Sequence, residues 1–158
     1  MKAGQRGVVG VLGVLALSVA ACGAPASSVG ATSTPEPEPT LGTVNATCQG
    51  CGEVAPASLT LEAYAEDGSV FGGVVFTKVR WRSWGSGRAT APATHAFFLG
   101  PGEPDTVTLY AFDPGTCGGR HGYRRLEWVE SGARFDPARY YDTCTGKGVG
   151  AGFPGYPQ

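Results

Sequence analysis

From Leu59 onward the chain alternates apolar and polar residues. In "SLTLEAYAE", Leu59, Leu61 and Ala63 share one side and Thr60, Glu62 and Tyr64 the other. A period of two is the signature of a strand with one buried face, so this stretch predicts a strand closed by the turn "EDGS" around Asp67-Gly68. "VVFTKVRWRSW" repeats the pattern, setting Val75, Thr77, Val79 and Trp81 against Lys78, Arg80, Arg82 and Trp84. "RATAPATHAFFL" predicts a weaker strand broken by Pro92, ending at the turn "GPGEPD". "TVTLYAF" places Val107, Leu109 and Ala111 opposite Thr108, Tyr110 and Phe112, and "YRRLEWVE" places Leu126 and Trp128 opposite Arg125, Glu127 and Val129. No stretch carries a helical period. Short strands separated by Gly and Pro turns predict an all-β fold, an antiparallel sandwich or small barrel. The Gly-rich tail "TGKGVGAGFPGYPQ" is expected to fray.

Before Leu59 the pattern is different. Lys2 and Arg6 precede the uncharged apolar run from Gly7 to Ala20. That run is about fourteen residues, short of the roughly 20 that span a bilayer, and a basic start, short apolar centre and small-residue exit describe a secretory signal peptide. Then "GAPASSVGATSTPEPEPTLGT", Gly23 to Thr43, contains no aromatic residue and alternates Glu and Pro near its end. Such a composition buries too little apolar surface to offset the entropy of ordering, and its Pro-rich half favours extended polyproline II. It reads as a tether, some 20 residues reaching up to roughly 60 Å at about 3.1 Å per residue.

Val19-Ala20-Ala21-Cys22 resembles the lipobox of bacterial lipoproteins. The resemblance implies cleavage between Ala21 and Cys22, a diacylglyceryl group on the Cys22 sulfur, and acyl chains of the palmitate kind that hold the protein on the extracytoplasmic face of the cell membrane. Two or three acyl chains anchor stably where one does not. The organisation expected is therefore a signal peptide at 1–21, a lipidated cysteine and disordered tether at 22–43, and one β-domain at 44–158.

Charge excludes one class of partner. The chain has 12 Lys and Arg against 13 Asp and Glu, and two of its cations, Lys2 and Arg6, lie in the signal segment. A nearly neutral domain lacks the basic excess that nucleic-acid binding requires.

Besides Cys22 there are four cysteines: Cys48, Cys51, Cys117 and Cys144. In a small exported domain four cysteines read as two disulfides. The preferred pairing ties Cys48 and Cys51 to Cys117 and Cys144; the alternative closes Cys48 on Cys51. A redox Cys-x-x-Cys needs a following helix, whereas "CGEVAPAS" leads into a strand pattern. The later cysteines lack zinc-ribbon spacing, and no metal or cofactor is expected.

"VVFTKVRWRSWGSGRATAPA" with "CGGRHGYRRLEWVESGAR" resembles a class of small exported actinobacterial β-proteins. That class supplies no activity to carry over. The pair His121-Gly122 before Arg125-Leu126 is similar to the signature of peptidoglycan L,D-transpeptidases, but Tyr123 stands where their nucleophilic cysteine must be.

Two functional readings remain. Cys117 and His121, four apart in "TCGGRHGY", suggest a thiol-dependent or hydrolytic envelope enzyme, because a thiolate needs a base or a cationic neighbour. Glu127 and Glu130 point to opposite strand faces and cannot flank one glycosidic bond, although Glu127 with Asp113 or Asp142 remains possible. The favoured reading is a non-enzymatic binding module. Trp81 and Trp84 are three apart, so one faces inward and Trp84 faces out beside Lys78, Arg80 and Arg82, where an indole can stack on a sugar or accept a guanidinium. The partner expected is an envelope polysaccharide or protein.

Overall fold

The computed structural model describes residues 36–64, 68–97 and 103–150. The expected signal segment, Cys22, the tether up to residue 35, Asp67 of the "EDGS" turn, part of the "GPGEPD" turn and residues 151–158 lie outside the described residues.

Nine strands are found among the described residues: β1 Thr40–Leu41, β2 Cys48–Gln49, β3 Leu59–Tyr64, β4 Val70–Thr77, β5 Arg88–Phe97, β6 Asp105–Cys117, β7 Arg120–Glu130, β8 Tyr140–Asp142 and β9 Lys147–Val149. Strands β2 to β9 pair in chain order in one antiparallel sheet, and β1 adds parallel to β7. The fold is all-β, a sheet curled into a half-barrel. The curl brings the start of the domain to its end. Thr47 Oγ1 lies 2.8 Å from the Tyr141 hydroxyl, and Asn45 Nδ2 donates to the Thr143 carbonyl at 3.2 Å.

The core follows the alternation expected of β3, β6 and β7. Leu59, Leu61, Ala63, Val107, Leu109, Ala111, Leu126 and Trp128 are all buried. Strand β5 contributes the small residues Ala89, Ala91 and Ala93, while the bulk comes from other elements, with Phe76 and Trp128 in contact at 5.3 Å between ring centroids. Each large side chain taken fully out of water contributes about 1.5–3 kcal/mol, so this apolar lining is the main source of stability.

Several expectations are corrected. Pro92 does not break β5, which runs through it. Thr90 exchanges both backbone bonds with Arg82, so Pro92, two residues on, turns its nitrogen the same way, into the gap where β4 has ended at Thr77. A missing N–H is harmless there. The alternation around Thr77 also fails: Val74 and Phe76 are buried, then Val79. Lys78 has φ 57°, which ends β4 and shifts the phase by one. The tail does not fray from Thr145, since β9 pairs with β8 over Tyr140–Val149, Tyr141–Gly148 and Asp142–Lys147.

Two further corrections concern the domain's boundary and its crosslinks. The folded unit begins before residue 44, because Pro39 and Leu41 are buried and Leu41 is fully enclosed. Leu41 exchanges backbone bonds with Glu53 and Gly52, while Gly42 donates to Tyr123. The disulfides are Cys48–Cys51 and Cys117–Cys144, not the preferred cross-pairing. Cys48 lies in β2 and Cys51 just after it, so the first bridge is local to that turn, whereas the second joins the end of β6 to the turn after β8.

Candidate functional site

The expected binding surface at Trp84 is divided in two. Lys78, Arg80 and Arg82 are exposed, but Trp84 is only half-exposed and its ring is engaged. Its centroid lies 4.9 Å from Trp81 and 4.9 Å from Tyr123. Both indole N–H groups are spent on backbone carbonyls, Trp81 on Pro56 and Trp84 on Pro39, each at 2.9 Å. With their N–H groups and rings so engaged, these partly buried tryptophans clamp two proline-containing segments onto the half-barrel and do not offer a free platform beside the cations. A cleft of about 250 Å³ remains at this corner, lined by Glu36, Pro37, Glu38, Pro39, Gly85 and His121.

The Cys117/His121 pair is not assembled either. Cys117 is buried and bonded to Cys144, which removes the thiolate a nucleophile requires. Across the hairpin Cys117 faces Arg120 and Thr116 faces His121. Neighbouring register positions alternate faces, so the two side chains diverge.

The most developed site lies on the outer side of β5 to β9. Arg88, Phe112, Arg125, Asp142 and Lys147 stand opposite one another in successive strands, forming a row across the sheet. Directly opposed residues share a face and interact. Behind this row the strands slip phase. Tyr123 and Leu126 are three apart yet both fully buried, which strict alternation forbids. The slip falls on Arg124 and Arg125, so two consecutive guanidiniums reach one carboxylate: Asp113 is 2.8 Å from Arg124 Nη2 and 2.9 Å from Arg125 Nε. Asp113 itself sits at φ 59°, a left-handed conformation that aspartate tolerates better than most residues.

These residues open a cleft of about 270 Å³ lined by Asp113, Thr116, Arg124, Arg125, Tyr140, Asp142 and Cys144 of the disulfide. Asp142 is held by accepting the backbone N–H groups of Cys144 and Thr145, both at 2.9 Å. Arg125 lies over the Tyr140 ring, 4.4 Å from its centroid. The hydrogen bond and charge of Asp113 raise the Arg124 pKa.

An aromatic strip continues from the cleft. Phe112 meets Tyr140 at 6.2 Å and Phe135 at 5.1 Å; Phe135 meets Tyr110 at 4.7 Å. The Arg88 guanidinium lies 5.0 Å from the Phe135 centroid and 5.7 Å from that of Tyr110. Phe135 belongs to the loop between β7 and β8, which is fastened by Glu127. That carboxylate is fully buried, accepts the Asp136 N–H at 3.0 and 3.2 Å, and faces Arg139 at 3.7 Å. Burial pushes its pKa up, while the Asp136 N–H and Arg139 pull it back in part.

Glu127 is therefore a structural fastener, and no hydrolytic pair forms between it and Asp113 or Asp142, because Asp113 is committed to two arginines and Asp142 to a turn. His95 is a core residue, packed between Phe76 and Phe97. Among the described residues no group of three or more His, Cys, Asp or Glu is placed to hold a metal ion. Sequence reasoning named Asp113 and Asp142 only as carboxylates to pair with Glu127, and missed Arg124 and Tyr140. The available signal was the Arg124-Arg125 doublet, two cations interrupting an apolar alternation.

No protein-family model, curated protein or solved structure matches the chain.

Proposed function

We propose that this chain is an exported envelope protein, held by lipid on Cys22 at the extracytoplasmic face of the membrane, whose β-domain is a non-enzymatic binding module. The observation that carries the binding reading is the cleft of Asp113, Arg124, Arg125, Tyr140 and Asp142 opening onto the Phe112–Phe135–Tyr110 strip. Donors, acceptors and ring faces converge there, as in a ligand site, while among the described residues no nucleophile or proton-transfer pair is assembled with them. Two disulfides in so small a domain support an oxidising, extracytoplasmic setting. The basic start, short apolar run and Val19-Ala20-Ala21-Cys22 support the lipid anchor.

The anchor and the oxidised state are tested together by the intact mass of the mature protein from a bacterial host, taken with and without thiol alkylation. The expected protein begins at Cys22, carries acyl mass and takes up no alkylating reagent. The Cys22→Ala variant is expected to leave the membrane fraction. A parent chain without acyl mass, or a variant as firmly membrane-bound as the parent, overturns the anchored reading.

A further inference from the structure

We propose that the β6–β8 cleft seats one sugar ring of a neutral polysaccharide and that Phe135 and Tyr110 carry the next units of the chain. The assignment rests on reading the domain as a binding module and names its ligand class.

Size, charge and surface chemistry each narrow the ligand. A volume of about 270 Å³ lies just under the roughly 300 Å³ at which small-molecule sites begin, so the cleft takes one small ring and not a large ligand. Its charges are two carboxylates, Asp113 and Asp142, and two guanidiniums, Arg124 and Arg125, which cancel. A free phosphate or carboxylate would have to displace Asp113 from both arginines and then face Asp142, so an anion is disfavoured. A cation meets the same arginines. What the lining offers is an alternation of acceptors and donors, with the Thr116 hydroxyl added, on walls whose positions are already set. Asp113 is held by two ion pairs, Arg125 by Asp113 and the Tyr140 ring, and Asp142 by two backbone N–H groups. Preorganised polar groups of both kinds fit vicinal hydroxyls, which donate and accept at once.

The strip beyond the cleft supplies the second half of sugar recognition. Tyr110, Phe135 and Tyr140 are each partly exposed, and ring faces stack on the C–H side of a pyranose as they stack on other apolar surfaces. Phe112, nearly buried, lies between Tyr140 and Phe135 and joins the two platforms. A polymer can therefore run from the cleft across β7 and β6 toward Arg88, so repeated weak contacts add up along one chain.

The test is affinity electrophoresis of the oxidised, Cys22→Ala chain through gels holding soluble neutral polymers of glucose, galactose, mannose or arabinose, with a uronic-acid polymer as the anionic comparison. At least one neutral polymer is expected to retard the protein, with little dependence on salt. Arg124→Ala and Phe135→Ala should each weaken that retardation about tenfold, the scale of one lost charged hydrogen bond or stacking contact. The triple variant Lys78→Ala, Arg80→Ala, Arg82→Ala should leave it unchanged. Near-ultraviolet circular dichroism and the oxidised mass show that each variant is folded, and Thr116→Ala, an exposed substitution, serves as a second probe of the cleft. Retardation by no neutral polymer overturns the proposal, as does retardation only by the uronic-acid polymer. Retardation lost in the triple variant but kept in Arg124→Ala also overturns it, and in that outcome the binding-module reading survives at a different surface.

Discussion

Trp84 donates its indole N–H to the backbone carbonyl of Pro39 at 2.9 Å, joining a loop beyond β4 to the segment that leads into β1. The same segment passes so close to β7 that a Cβ at Gly122 would stand 2.5 Å from the Thr40 carbonyl oxygen. Contacts that short do not occur, so Gly122→Ala must push β1 away and loosen Leu41 from the core. The expected loss is about 1–3 kcal/mol, the range for overpacking a tight site. Trp84→Phe keeps most of the ring packing and removes only the N–H, which should cost about 1 kcal/mol. Urea unfolding followed by far-ultraviolet circular dichroism orders the two. Equal stability of Gly122→Ala and the parent would mean that β1 is not pinned to β7.

The two disulfides should differ in what they contribute. Cys117–Cys144 closes a sequence separation of 27 and Cys48–Cys51 one of 3. Chain-entropy scaling gives roughly 3–4 kcal/mol for the longer loop and about 2 kcal/mol for the shorter. Paired replacement by alanine, Cys117 with Cys144 and Cys48 with Cys51, avoids leaving a free thiol in either case. Thermal unfolding should show the larger drop for the first pair, and a larger drop for the second would place the stabilisation in the native contacts of the Cys48–Cys51 turn.

Glu127 makes a pH signature. Its folded-state pKa lies above the ordinary glutamate value of about 4.5 because burial disfavours the charge. The folded chain therefore holds this proton more tightly than the unfolded chain, and the group's contribution to stability is present at low pH and declines as pH rises from about 4.5 through the folded value. Glu127→Gln keeps an acceptor for the Asp136 N–H without the charge. Its stability relative to the parent should rise with pH between 4 and 7, read as the difference between two chemical-denaturation series so that other carboxylates cancel. A relative stability that falls with pH would show that Arg139, 3.7 Å away, outweighs desolvation.

The parts of the fold legible in the sequence are those where strand residues alternate without interruption. Leu59, Leu61 and Ala63 face the core because each stands two residues from the next, and the same holds for Val107, Leu109 and Ala111. The failures fall where the backbone leaves that period for reasons the side chains do not announce. Lys78 at φ 57° is a lysine in a conformation that glycine would have advertised, so the shift from Phe76 to Val79 was invisible. Leu41 was hidden in another way: one leucine in a proline-rich stretch is diluted in composition, yet it finds a fully buried place against β7. The disulfide partners were illegible because the curl of the sheet decides which chain ends meet. The cleft was missed for the same cause as the phase slip, since Arg124 and Arg125 share Asp113 only when both leave the alternation together.

Asp113 concentrates that slip, and its replacement separates conformation from charge. Asparagine also tolerates positive φ, so Asp113→Asn removes the carboxylate while leaving the backbone at ease. The ion pairs it loses involve side chains exposed by 26% at Asp113, 44% at Arg124 and 37% at Arg125, so solvent screens them and the cost should stay under about 1 kcal/mol. Valine removes the same charge and adds a branched Cβ at φ 59°, a further strain of roughly 1–2 kcal/mol. Salt distinguishes the two contributions. At about 1 M salt the Debye length is near 3 Å, so the gap between parent and Asp113→Asn should shrink, while the gap between Asp113→Asn and Asp113→Val should persist because strain is not screened. If the asparagine variant instead lost as much as the valine one at every salt concentration, the carboxylate would be holding the β6–β7 distortion in place, and the cleft would collapse with its charge.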